Sequence, residues 1–324
     1  MKVNIVMSTY NGEKYLADQI KSIQAQTFKD WNLLIRDDGS KDNTTSIIRE
    51  IAEKDDRIRF INDGQNENYG VIKSFYHLVK YESADYYFFS DQDDVWLPEK
   101  LEITLKRAQQ EVLERPLLVY TDLRVVNEDL QILQESMIKA QSHHANTELV
   151  QELTENTVTG GTMMINKALA DKWQVYENLL MHDWYLALLA ASLGKLVYID
   201  QATQLYRQHE ANVLGARTED KKFKLLRLGP KAIFTKYWQL IHDSQKQAMT
   251  ILDLFGKDLA LRDRLLIEHF YDIDQQSIFE RCKRLAIHGY SKNQLKHKIV
   301  FKILIVTNWY NKKNEKSIDD YPCL

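Results

Sequence analysis

The chain has 324 residues, 44% of them apolar and 27% charged, with a formal net charge of −3. That composition excludes a disordered or collagen-like chain, and the small net charge argues against a general nucleic-acid binder. The charge is unevenly placed, however: residues 212–324 hold 21 Lys+Arg and 13 Asp+Glu, a net +8, which leaves −11 for residues 1–211.

Short apolar runs alternate with helical spacing from the start. Residues 3–7 read as a strand, Leu16, Ile20 and Ile23 as one face of a helix, residues 31–36 as a second strand, and Ile47, Ile48 and Ile51 as a second helix. This β-α-β-α order predicts a Rossmann-like, mainly parallel sheet with helices on both faces. Further strands are expected over 58–62, 86–90, 117–121, 163–166 and 196–199. Asp37-Asp38-Gly39-Ser40-Lys41-Asp42 supplies turn and helix-cap chemistry after the second strand. In open α/β sheets ligands sit beyond the carboxyl ends of the strands. Ser8-Thr9-Tyr10-Asn11, Asp37-Asp38 and residues 90–94 all stand there, so three strand ends are expected to converge on one pocket.

From about Thr218 the pattern changes to long helical stretches rich in Lys, Arg, Leu, Phe and Tyr, with Gly229-Pro230 as a strong breaker. The expected division is one α/β domain over 1–212 and a basic, mainly helical region over 213–324. An acidic first part suits a carboxylate site that attracts a metal ion, and a basic second part suits an anionic partner. Residues 296–313 are apolar in the middle with basic and aromatic flanks, which fits a helix lying on a membrane and a helix buried in a dimer interface equally well. Cys282 and Cys323 are too few and too far apart for a metal cluster or disulfide framework, so free thiols in a reducing compartment are expected. The first eight residues turn polar too early for a secretory leader, and no run approaches the ~18 apolar residues of a membrane span. The expected location is cytoplasmic, with any membrane contact peripheral.

The most informative segment is Ser90-Asp91-Gln92-Asp93-Asp94-Val95-Trp96, where an apolar strand ends in three carboxylates within four residues. Crowding like charges is unfavourable unless a cation compensates them, and oxygen-rich sites of this kind suit Mg²⁺ or Mn²⁺. The plain alternative is a solvated acidic turn before the next helix. Asp37-Asp38-Gly39-Ser40 reads first as a turn, although a carboxylate there could accept from the imide N–H of a uracil or thymine. Asp183, in His182-Asp183-Trp184, is either a helix cap or a general base for a hydroxyl. His209 could be a neutral metal ligand or simply structural.

Ser8-Thr9-Tyr10-Asn11, Asp37-Asp38-Gly39-Ser40, Asn68-Tyr69-Gly70, Ser90-Asp91-Gln92-Asp93-Asp94-Val95-Trp96, Thr159-Gly160-Gly161-Thr162 and His182-Asp183-Trp184 follow one another in an order that resembles the inverting GT-A glycosyltransferases of family 2. With Tyr206-Arg207-Gln208-His209 added, the pattern is most similar to bacterial rhamnosyltransferases of rhamnan synthesis, including the streptococcal type. The resemblance spans about residues 1–212. It implies that Thr9 and Tyr10 contact the nucleoside, Asp38 pairs with its base, and Asp91 and Asp93 form an Asp-x-Asp motif at the nucleotide sugar. It also implies Mg²⁺ or Mn²⁺ bound by Asp91 and above all Asp93, with His209 completing the shell, and Asp183 as catalytic base. Two positions depart from the family pattern. His182 stands where many relatives carry Glu, and Phe75 stands where many carry Arg, leaving Lys73 as the substitute diphosphate contact.

The implied reaction is a single in-line displacement from dTDP-β-L-rhamnose, which would give an α-rhamnoside. The implied acceptor is a glycan on a polyprenyl diphosphate at the inner membrane face. Other donors weighed are UDP-glucose, UDP-galactose and UDP-N-acetylglucosamine. A non-catalytic nucleotide-sugar-binding protein would bind donor without turnover. A dehydrogenase is disfavoured because Ser-Thr-Tyr-Asn-Gly-Glu, and not G-x-G-x-x-G, follows the first strand.

Overall fold

The computed structural model describes residues 1–209 and 230–311; the onset of the helical region near Thr218, Gly229, Lys312, Lys313 and Cys323 lie outside the described residues. Strand β1 (Val3–Thr9) is central, flanked in parallel by β2 (Asn32–Asp37) and β4 (Tyr86–Ser90), and β3 (Ile58–Phe60) extends the sheet beyond β2. Alternation along these strands feeds two hydrophobic clusters. Ile5, Met7, Leu33, Ile35 and Phe88 point to one face, and Val6, Leu34 and Phe89 to the other. Burial on both faces is the reason these runs read as continuously apolar.

Beyond β4 the sheet becomes mixed. β8 (Met163–Asn166) runs antiparallel between β4 and β6 (Leu117–Val126), β6 is parallel to β9 (Lys195–Arg207), and the short β5 (Val95–Trp96) pairs antiparallel with β9. β7 (Ile132–Gln134) pairs with β6 outside the main order. The seven expected strands are all present. The two short ones, β5 and β7, carry too few residues for a period-2 signal. β9 runs well past the expected 196–199, on to Arg207, so Tyr206 and Arg207 belong to the strand.

Helices α1 (Leu16–Gln24), α2 (Thr44–Ala52) and α4 (Lys100–Ala108) cover the first face through Leu16, Ile20, Ile23, Ile48, Leu101 and Leu105. On the other face lie α3 (Val71–Tyr81), the short α5 (Met137–Gln141), α6 (Leu149–Glu152) and α7 (Lys167–Lys172), and α8 (His182–Leu193). α8 is apolar on all sides because the C-terminal helices α9 (Pro230–Phe255), α10 (Leu261–Tyr271), α11 (Ile278–His288) and α12 (Leu295–Thr307) extend the same cluster with Trp238, Ile251, Ile267, Leu285 and Phe301. This is a GT-A nucleotide-sugar-binding fold followed by C-terminal helices.

Candidate active site

Register brings the motifs together. Thr9 lies beside Asp37 across β1–β2, and Met7 beside Ser90 across β1–β4, so the polar segments leave the sheet at one level. Gln92 ties two of them: its side chain accepts from the Tyr10 N–H (2.9 Å) and donates to the Tyr10 carbonyl (2.9 Å), which leaves the Tyr10 side chain outward, 48% exposed.

Thr9 and Asp38, expected as nucleoside contacts, are turned inward. The Thr9 hydroxyl donates to Asp37 (2.9 Å) and its carbonyl accepts from the Asp38 N–H, with 1% of the residue exposed. Asp38 Oδ1 accepts from Arg36 (2.6 Å), the Tyr69 N–H (2.6 Å) and the Ser74 hydroxyl (3.1 Å), while Oδ2 accepts from the Gly70 N–H (2.9 Å). The Thr9 hydroxyl and carbonyl are thus both engaged inside the protein. Asp38 first anchors the start of α3, and only Oδ2 has acceptor capacity left. Asp37 is likewise consumed by its turn, accepting from the Gly39 and Ser40 N–H groups, where Gly39 adopts φ +84°.

The three carboxylates after β4 separate into three environments. Asp94 is fully buried and accepts from Gln204 (3.0 Å) and the Arg207 N–H (3.1 Å), so it fastens the segment to β9. Asp93 Oδ2 lies 2.8 Å from His209 Nε2, and Arg207 donates to the Asp93 carbonyl (3.0 Å). Asp91 faces the Gly160-Gly161 turn, where a β-carbon on Gly161 would come within 3.1 Å of its Oδ2. Burial, then the nearby charges of Asp93 and Asp183, push the Asp91 carboxyl up to about 7. Among the described residues no group of three side chains is gathered for a metal. The donor set nonetheless fits a hard divalent cation. Asp93 and His209 already share one position, and such ions keep open places for phosphate and water.

On the other side of the same turn sits Asp183. Its Oδ2 accepts from the Gly160 N–H (3.1 Å), and its Oδ1 accepts from the Trp184 N–H (2.5 Å) and Asn156 (3.3 Å). The N-cap of α8 is Met181, so Asp183 lies within the first turn, where its carboxylate takes the Trp184 N–H. Burial outweighs these hydrogen bonds and pushes the carboxyl up to about 7. That value is near the optimum for a base working at neutral pH. His182 beside it stacks against Phe75 and Phe89. Burial holds its imidazole down at about 3, and therefore neutral.

Lys73 is not free over the pocket: its ammonium lies 4.0 Å from the Tyr69 ring centroid and 5.6 Å from that of Tyr176. The sequence reading missed Lys100, Gln204 and Asn156. Lys100 is 1% exposed and donates to the Gly161 carbonyl and to Gln204 (2.5 Å). The trace of this network in the sequence is the Gly160-Gly161 pair, where missing side chains let His182, Asp91 and Gln204 approach the backbone.

A model of glycosyl transferase family 2 matches residues 4–174, just over half of the chain. The chain belongs to that family. Among relatives of this glycosyltransferase, the dTDP-rhamnosyl transferase RfbG of Shigella flexneri is 31% identical over 236 residues, 68% of this chain and 78% of that protein. The UDP-Glc:alpha-D-GlcNAc-diphosphoundecaprenol beta-1,3-glucosyltransferase WfgD of Escherichia coli is 34% identical over 103 residues, which is 32% of this chain and 39% of that protein. The solved structure of S. aureus TarS superposes with a TM-score of 0.57 at 18% identity, covering 96% of this chain and 82% of that one. At that identity the likeness bears on the fold alone.

Proposed function

We propose that this glycosyltransferase moves L-rhamnose from dTDP-β-L-rhamnose, with inversion, to a hydroxyl of a polyprenyl-diphosphate-linked glycan in cell-surface polysaccharide synthesis. The choice of donor is supported by the match to a dTDP-rhamnosyl transferase across two thirds of the chain. Residues 1–212 are assigned the catalysis and residues 213–324 attachment at the inner membrane face. No helix among the described residues is long and apolar enough to cross a membrane.

The observation that carries the chemistry is Asp183, a dry carboxylate held by three fixed donors with one acceptor position left on Oδ2. As the acceptor oxygen attacks C1 of the donor sugar, Asp183 takes its proton, and the bond from C1 to the nucleoside diphosphate breaks. Mg²⁺ or Mn²⁺, held by Asp93 and His209 with Asp91, supplies charge neutralisation of the diphosphate when bound. Tyr10 is assigned to the nucleoside, the remaining Asp38 acceptor to its base, and Lys73 to the diphosphate after release from the Tyr69 ring.

A second reading keeps the reaction and changes the donor, since a relative matched over about a third of the chain is named for UDP-Glc. Incubation with dTDP-L-rhamnose, UDP-glucose, UDP-galactose and UDP-N-acetylglucosamine, with and without lipid-linked acceptors, separates the two by nucleoside diphosphate release. Preferred release from a UDP-sugar overturns the rhamnosyl reading; donor binding without release in any mixture overturns catalysis.

A further inference from the structure

Among the described residues, helix α12 packs by one side. Phe301, Leu304 and Ile305 are buried in the main hydrophobic cluster, while Leu295, Ile299 and Ile303, spaced by one turn each, are 70%, 50% and 43% exposed. On a helical projection these three form one stripe. Lys298 and Lys302 lie along one edge of it and Lys296 along the other, all exposed. Just past the helix end, Trp309 and Tyr310 are 59% and 47% exposed. The Trp309 carbonyl accepts from the Trp238 indole (2.7 Å), and one face of the Tyr310 ring stacks on Phe234. From residue 281 to residue 311 the chain has seven Lys+Arg and no Asp or Glu.

We infer that the outer face of α12 is a docking surface for an anionic lipid bilayer. Leu295, Ile299 and Ile303 enter the upper acyl region, Lys296, Lys298 and Lys302 sit at the headgroup phosphates, and Trp309 and Tyr310 lie at the interface. An apolar stripe between lysines with aromatic residues at one end is the composition of a helix lying in the interface plane. The charge decides against a second copy of the chain as occupant. A two-fold interface would lay this acid-free basic strip on itself and bring like charges together, whereas anionic headgroups complement it. The placement deepens the lipid-linked-acceptor reading and rests on it for its purpose, though not for its existence.

The full chain is floated with vesicles of phosphatidylcholine alone and of phosphatidylcholine with phosphatidylglycerol, at low and high salt. Sedimentation velocity is run in parallel. Binding is expected to the phosphatidylglycerol vesicles and to weaken with salt. Lys298→Gln with Lys302→Gln should lower partitioning roughly 30-fold, at about fivefold per lysine. Ile299→Gln with Ile303→Gln should lower it by about tenfold or more through lost apolar burial. All four substitutions are on an exposed face away from the proposed active site, so nucleoside diphosphate release to a soluble acceptor should stay unchanged. Failure to float on phosphatidylglycerol vesicles, equal binding to phosphatidylcholine alone, or variants that bind like the parent each overturn the inference. So does a dimer that the isoleucine variant dissociates. Absence of donor turnover in the parent protein would instead overturn the functional reading and leave the flotation result standing.

Discussion

The His182 imidazole stacks on the Phe75 ring, with centroids 4.5 Å apart and planes 26° apart. These are the two positions at which the sequence departs from its family's pattern, and the fold brings them into contact. Among the described residues neither ring nitrogen of His182 has a hydrogen-bond partner in this aromatic setting. A Glu–Arg pair in the same place would carry two charges, where this chain has none at neutral pH.

His182→Glu alone buries a carboxyl between two phenyl rings and should destabilise the fold by about 3 kcal/mol, the scale for an uncompensated buried charge. Adding Phe75→Arg should recover part of that loss, with an interaction energy of roughly 0.5–3 kcal/mol. Urea denaturation of the parent, both single variants and the double variant measures it. Losses that simply add would mean that the two sites are independent.

Asp93 and His209 meet at 2.8 Å, whereas Asp91 stands on the other flank against Gly161. Asp93→Asn should therefore abolish Mn²⁺ binding in the presence of nucleoside diphosphate, as read by calorimetry, and turnover with it. His209→Ala should weaken Mn²⁺ binding while leaving the melting temperature near that of the parent. Full turnover in excess chelator would remove the metal from the reaction.

The strands and the convergence of their ends were legible because alternation along β1, β2 and β4 and the turn residues after them are local signals. The separate fates of the acidic residues were not. Asp91, Asp93 and Asp94 are neighbours in sequence, yet Asp94 is spent on Gln204 and Arg207, more than 100 positions away. Thr9 looked available for the same reason: its partner Asp37 comes from the next strand. Burial and long-range pairing set these roles, and neither is written in spacing.

Lys100 is a consequence of the same long-range packing. Its ammonium lies 4.1 Å from the Trp96 ring centroid and serves two acceptors that bracket the Gly160-Gly161 turn. Lys100→Met should leave both acceptors unsatisfied and destabilise the fold by about 2–6 kcal/mol, at about 1–3 kcal/mol per buried group. It should also lower transfer more than donor binding, because that turn supplies the Gly160 N–H to Asp183. Chemical denaturation beside donor titration and transfer kinetics tests both parts. Equal losses in donor binding and transfer would confine Lys100 to general stability.

Asp183 carries the sharpest test, because its environment makes a signed statement about pH. The unfolded chain ionises this carboxyl near its ordinary 3.8, while the folded protein holds it up to about 7. Between those values the native state binds the extra proton. The stability this group contributes is therefore full below about pH 4, falls as pH rises towards 7, and is flat above. Activity runs the opposite way, because only the carboxylate takes the hydroxyl proton, so transfer should rise with pH and level off above about 7. Asp183→Asn keeps the acceptor oxygen for Trp184 and Asn156 but sets an amide against the Gly160 N–H, a cost offset by removal of a buried ionisable group. The variant should keep a melting temperature close to the parent's, bind donor as before, and lose transfer by roughly 10²–10⁴-fold, the usual contribution of a general base. Its stability should also fall less steeply between pH 4 and 7, because the share due to Asp91 remains without that of Asp183, a change that no effect on donor or metal binding would produce. Donor calorimetry, transfer kinetics and denaturation across that pH range decide it together, and an Asn variant with normal transfer would take Asp183 out of the reaction.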